Sequence, residues 1–150
     1  MREQVIERIE KEKLIAIVRG VSADQCSKVA NALYAGGVRL MEITYNQKDP
    51  ASWQKTAEAI GALTEEFGGK MLFGAGTVTN VELVELTHAH GGKYIISPDT
   101  NVDVIKRTVE LGMVSLPGAM TPTEVMTAHA AGADFVKLFP AGDLGVSYLK

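Results

Sequence analysis

Two charged residues stand inside otherwise apolar runs of this chain, Glu42 in RLMEITY and Lys137 in DFVKLFP. A charge in such surroundings is costly unless it finds a partner or a watered cavity. A lysine amine can add to a ketone when an apolar setting favours its neutral form. A carboxyl group nearby can move protons at the substrate hydroxyl and the carbinolamine, directly or through a water. The alternative for Lys137 is a stem lying on apolar surface with its ammonium in solvent; for Glu42 it is a structural ion pair with Lys137 or Arg19. Arg19 closes LIAIVR, where a guanidinium can clamp a carboxylate or phosphate through two hydrogen bonds or simply face water. Gly74 to Val78 reads GAGTV, two glycines that allow backbone to approach a small anion and a Thr77 hydroxyl to donate to it. The third glycine of a dinucleotide fingerprint is missing, because position 79 is threonine. His88 and His90 lie two apart in one predicted helix and His129 is alone in another, so no facing pair with metal-ligand spacing arises and no metal is expected.

These residues are spread along a repeating pattern. After an amphipathic helix over about residues 2–12, with Val5, Ile6 and Ile9 at helical spacing, the apolar runs LIAIVR, RLMEITY, MLFGAG, KYIISP, MVSLPG and DFVKLFP alternate with helical periodicity. Capping boxes are predicted at Ser22 to Gln25, Thr79 to Glu82 and Thr121 to Glu124, the last with Pro122 in the first turn. Gly36, Gly68, Gly91, Gly112 and Gly132 follow at helix ends. Strand, capped helix, glycine, strand is the grammar of successive βα units with buried parallel strands. An open doubly wound sheet and a closed barrel both use it. Side-chain alternation places Phe135, Lys137 and Phe139 on one face of their run, and Leu40, Glu42 and Thr44 on one face of theirs. A barrel lets both faces point inward, so that Lys137 and Glu42 meet at the C-terminal mouth.

With 46% hydrophobic and 22% charged residues the chain has a globular composition, and a formal charge of -3 supplies no basic stripe for nucleic acid or anionic lipid. Small molecules are the expected partners. The lone Cys26 cannot form an internal disulfide, and the charged start MREQVIERIEKEK resembles neither a signal peptide nor a membrane span, so a cytoplasmic setting is expected. Only about six strands are visible, whereas a closed barrel has about eight strands and typically about 250 residues. The expected fold is therefore α/β, a (β/α)8 TIM barrel truncated at its C-terminus to about six βα units, in one domain over residues 1–150. Two open parallel edges would remain, an invitation to association.

Taken together and in order, Arg19, MEIT, GAGTV, ISP, PGAMTPTE and KLFPAG resemble the 2-keto-3-deoxy-6-phosphogluconate and 4-hydroxy-2-oxoglutarate aldolase family. The most specific parts are VKLFP around Lys137 and the pair Gly36 and Gly37 followed by Glu42. The resemblance implies a class I aldolase that uses no metal or other cofactor and releases pyruvate plus glyceraldehyde 3-phosphate or glyoxylate. It implies that Lys137 forms the iminium with the 2-keto acid and that Glu42 is the general acid and base. It also implies that Thr77 contacts the pyruvate carboxylate, that Pro98 and Phe139 line the pocket, and that the complete protein is a homotrimer. The chain departs from the family pattern twice. Some members carry an arginine after the glutamate, where this chain reads Tyr45, Asn46 and Gln47, which leaves Arg19 as the candidate anion contact. The family's phosphate loops, after the last two strands, are expected beyond Lys150. A different Schiff-base enzyme of keto acids and a non-catalytic barrel scaffold are the competing readings.

Overall fold

The computed structural model describes residues 1–150, with residue 23 described by its backbone alone. Each apolar run forms a strand, and each periodic stretch between runs forms a helix. The order is α1 (Arg2–Glu12), β1 (Ile15–Val18), α2 (Ala23–Ala35), β2 (Leu40–Thr44), α3 (Trp53–Phe67), β3 (Leu72–Gly76), α4 (Val81–Ala89), β4 (Tyr94–Ile96), α5 (Val102–Glu110) and β5 (Val114–Leu116). It continues through β6 (Gly118–Ala119), α6 (Pro122–Ala130), β7 (Lys137–Leu138), α7 (Ala141–Leu144) and α8 (Val146–Leu149), and a short 3-10 turn at Pro50–Ser52 precedes α3. Strands β1 to β5 are parallel and lie in sequence order. A doubly wound sheet reverses its strand order at a switch point. No reversal occurs here, and the α/β fold is of the barrel type.

Pro117 divides the fifth run into β5 and β6 because it has no N–H to donate to a ladder. Its carbonyl still accepts from the Lys137 amide at 2.8 Å, and β6 goes on to pair with β7. Of the three predicted capping boxes, the one at Thr121 and Glu124 forms in full. Ser22 stands at the N-cap of α2 without a side-chain cap bond. The box at Thr79 does not form: α4 starts one residue later than predicted, and Asn80, a stronger capping residue, accepts from the Leu83 amide. The turn after α2 is made at Gly37, whose φ of 96° suits glycine, while Gly36 keeps an ordinary negative φ.

The sheet separates two apolar layers. On its outer face Met41, Ile43, Phe73, Ala75 and Ile95 pack against helix residues such as Ile60, Leu63, Leu83 and Val104. On its inner face Leu40, Tyr94, Ile96, Val114 and Leu116 pack with Val5 and Ile9 of α1, which covers the end of the barrel opposite the site. Helix α1 is tied down by Arg2, whose guanidinium meets the Asp134 carboxylate at 2.7 and 3.3 Å. The same carboxylate accepts from the Ser115 amide at 2.9 Å, so one side chain joins α1, β5 and the approach to β7. No helix among the described residues is long and apolar enough to cross a membrane.

The Asp134 side chain is only 7% exposed, and its removal strands both a guanidinium and a backbone N–H. We expect Asp134→Ala to lower stability by about 1.5–3 kcal/mol, the range for hydrogen bonds to a charged group. Urea unfolding at neutral pH measures this; a loss below about 0.5 kcal/mol would reduce Asp134 to a surface residue.

Candidate active site

Glu42 sits in the middle of β2 on the inner face, 2% exposed, with Leu40 below it and Thr44 above it. The neighbouring strand makes room for it. A Cβ at Gly76 would lie 2.7 Å from Glu42 Oε1, and a Cβ at Gly74 would collide with the Tyr94 ring. The glycines of GAGTV therefore clear space for two side chains, and this corrects the expectation that they open the backbone to a small anion: the face they would offer is already filled. Ala75 pairs with Ile95, which puts Tyr94 beside Gly74. The Tyr94 hydroxyl donates to the Met41 carbonyl at 2.7 Å and to that of Leu72 at 3.3 Å. Burial, reinforced by the charge of Glu42, holds this phenol well above its ordinary pKa, so it remains a neutral donor.

Glu42 Oε2 is buried with no hydrogen-bond partner. Burial raises the pKa of this carboxyl, and the positive charges of Lys137 and Arg19 pull against that rise without cancelling it. Among the described residues neither Glu42 nor Lys137 belongs to an ion pair within 4.0 Å. The alternative of a structural ion pair is not realised; the two cations act on Glu42 across a gap.

On one side of Glu42 stand Lys137, Phe139 and Pro98. Lys137 is half-buried on β7, in register with Gly118 of β6, and its Nζ lies 4.7 Å from the centroid of the Phe139 ring, in cation–π range. Phe139 is 42% exposed. A Cβ at Gly118 would strike the Pro98 carbonyl, so that glycine lets the turn after β4 close onto β6. The Thr100 hydroxyl fixes this contact by donating to the Gly118 carbonyl at 2.7 Å.

Arg19 and Thr77 follow the ends of β1 and β3, the two strands that flank β2. Arg19 is exposed just beyond β1 and donates through Nη2 to Thr77 Oγ1 at 3.3 Å. Thr77 has a φ of 58°, an outlier for a β-branched residue. A cavity of about 310 Å³ opens here, lined by Arg19, Thr44, Gln47, Lys48 and Thr77 among others. Of the three residues standing where some relatives have arginine, Tyr45 turns into the outer layer, its hydroxyl 2.9 Å from Thr87 Oγ1 and its pKa raised to about 12 by burial. The Asn46 carbonyl accepts from Trp53 Nε1, the Tyr45 amide donates to the Gly76 carbonyl at 3.0 Å, and Gln47 reaches the GAGTV turn with its side chain. His88 and His129 are exposed, and His90 Nδ1 lies 2.9 Å from the Leu86 carbonyl. Sequence reasoning overlooked Tyr94 and Gln47. A signal for the first was present, since two glycines on one strand face call for a bulky neighbour; none marks the second.

The profile described as KDPG and KHG aldolase matches residues 5–150. The chain belongs to this aldolase family. It is 36% identical over 140 residues to a 2-dehydro-3-deoxy-6-phosphogalactonate aldolase of Escherichia coli K12, a match covering 93% of this chain and 65% of that protein. The solved structure of the 2-keto-3-deoxy-6-phosphogluconate aldolase of Zymomonas mobilis ZM4 with 3-phosphoglycerate superposes with a TM-score of 0.82 at 26% identity, over 96% of this chain and 66% of that one. The KDPG aldolase of Legionella pneumophila, solved with pyruvate captured at low pH as a covalent carbinolamine intermediate, superposes with a TM-score of 0.78 at 25% identity, over 90% and 63%. The chain thus spans less than two thirds of the length of the curated relatives it matches, from 60% to 65% in three of them.

The raised pKa of Glu42 in this aldolase-family chain has a consequence for stability. A carboxyl whose folded pKa lies above its unfolded value contributes stability below the unfolded pKa and loses it as pH rises through the folded pKa. Glu42→Gln should therefore be more stable than the parent at pH 7–8, with the advantage vanishing towards pH 4. Urea unfolding across that range reads the difference. A variant less stable at pH 8 than at pH 4, relative to the parent, would mean that the ionised carboxylate is well held.

Proposed function

We propose that this chain carries the catalytic machinery of a class I aldolase that cleaves a 4-hydroxy-2-keto acid to pyruvate and an aldehyde. The observation that carries the proposal is a buried carboxyl with a partnerless oxygen, set across a gap from a half-buried lysine at the barrel mouth. The carbinolamine captured in the Legionella relative supports amine attack as the chemistry of this family.

In this reading the neutral amine of Lys137 adds to C2 of the substrate, and Glu42 gives its proton to the carbinolamine hydroxyl, which leaves as water so that a protonated imine and an ionised Glu42 remain. Glu42 takes the proton from the C4 hydroxyl, the C3–C4 bond breaks, and its electron pair flows into the iminium to give an enamine while the aldehyde departs. Glu42 returns the proton to C3, and water releases pyruvate from Lys137. The raised proton affinity of Glu42 suits both halves of this cycle. Arg19 and Thr77 hold the substrate carboxylate, and Phe139 and Pro98 cover the C2 side. The phosphorylated sugar acids and 4-hydroxy-2-oxoglutarate are the substrates the family likeness offers. The likeness also carries one barrel domain, a cytoplasmic setting and a homotrimer, which would cover apolar side chains such as Met120 and Met126, 44% and 64% exposed.

Pyruvate with borohydride should fix a covalent adduct on Lys137, located by peptide mapping. Glu42→Gln should still accept the adduct while cleaving 4-hydroxy-2-keto acids about 10²- to 10⁴-fold more slowly. No adduct, or one only on another lysine such as Lys93, would sink the assignment. An adduct without cleavage of any such acid would point to a different Schiff-base reaction.

A further inference from the structure

We propose that Gln47 is a positioning residue: its carboxamide clamps the turn after β3 in a left-handed conformation and so sets the Thr77 hydroxyl beside Arg19 as a joint carboxylate anchor. The inference rests on the reading of the site given above and names what builds its anion-binding end.

The turn from Thr77 to Thr79 runs between β3 and α4, and three side chains from two other connections hold its three carbonyls. Gln47 Nε2 donates to the Thr77 carbonyl at 2.7 Å, Ser97 Oγ to that of Val78 at 2.7 Å, and Asn101 Nδ2 to that of Thr79 at 3.3 Å. The bond to Thr77, the strained residue, is the one Gln47 makes. The other end of the same carboxamide accepts from the Thr79 hydroxyl at 2.9 Å. That hydroxyl is free to donate because Asn80, and not Thr79, caps α4. Gln47 thus holds the turn on both sides of Val78, which is itself fully buried and anchored by its amide to the Ile96 carbonyl.

Thr77 needs such a clamp. A β-branched residue at φ 58° gives up conformational energy that its surroundings must offset. In that conformation its Oγ1 faces Arg19 Nη2. The adjoining cavity is lined by Arg19, Lys48, Thr77 and Gln47 and by no carboxylate, so it suits an anion. Lys137 and Glu42 stand on other strands, which predicts that losing the clamp weakens keto-acid binding and leaves the chemical step in place.

The test compares the parent, Gln47→Ala, Thr77→Ser and the double variant. Serine keeps the hydroxyl and drops the β-branch, which eases the left-handed conformation. Gln47→Ala should raise the pyruvate concentration needed for half-maximal borohydride trapping about two- to tenfold, the equivalent of one or two hydrogen bonds, with turnover at saturation changed less than about twofold. In the Thr77→Ser background the same change should cost clearly less. The second measurement uses the unliganded chain: φ-dependent scalar couplings of Thr77 and amide exchange over residues 77–80 should report departure from the left-handed state in Gln47→Ala. Equal cost in both backgrounds, an undisturbed Thr77 in Gln47→Ala, or a fall in turnover with pyruvate affinity intact would each overturn the inference. A parent chain that takes no pyruvate at all would overturn the aldolase reading instead, and the Thr77 couplings would still decide whether Gln47 is the clamp.

Discussion

A carboxyl group excluded from water, with one oxygen left without a partner, is the constraint around which this structure is arranged. Glu42 is tolerated in the inner layer because it can hold a proton more readily than an exposed glutamate and because two cations stand near enough to be felt without pairing. Space for it is supplied by Gly76 on the adjacent strand. Beneath it the Tyr94 ring fills what Gly74 leaves empty, and its hydroxyl ties the backbone of β2 to that of β3. Enlarging either glycine would displace a side chain that has nowhere else to go, since the sheet is covered on its outer face by the helices.

The strand order divides the mouth. The ends of β1 to β3 present Arg19, Gln47 and Thr77, all polar and wet; the ends of β4 to β7 present Pro98, Lys137 and Phe139, an amine among apolar surfaces. Glu42 lies within the first group, on β2, one step below Thr44 on the inner face. A linear order of parallel strands, curled so that one face is shared, is what brings residues more than 90 positions apart to one mouth. The break at Pro117 serves the same end, because it allows β6 to lean onto the Pro98 turn and carry Lys137 with it.

Much of this was legible in the residues alone. Charge inside an apolar run singled out Glu42, which the fold buries, and Lys137, which it half-buries; periodicity placed α1 at residues 2–12 and all six strand runs; the Thr121 and Glu124 box marked the start of α6. The failures share a cause. The purpose of Gly74 and Gly76 depends on which residues of β2 and β4 lie opposite them, and register between strands is not written in the local sequence. The start of α4 depends on Thr79 being engaged elsewhere, by a Gln47 that is 32 positions away. Local rules pointed to Thr79 as the cap; in the fold its hydroxyl donates to Gln47 and Asn80 caps α4 instead.

The neutral side chain of Gln47 also suits the central carboxyl. A guanidinium at that position would add a third positive charge around Glu42, alongside Lys137 and Arg19, and each nearby cation favours the ionised form. A carboxylate held fully ionised is a weaker proton donor to C3 of an enamine. A neutral carboxamide contributes geometry without that charge, both as donor to the Thr77 carbonyl and as acceptor from Thr79. In the proposed reading anion binding is then left to Arg19, with the Thr77 hydroxyl beside it at 3.3 Å, while burial remains the dominant influence on the proton of Glu42.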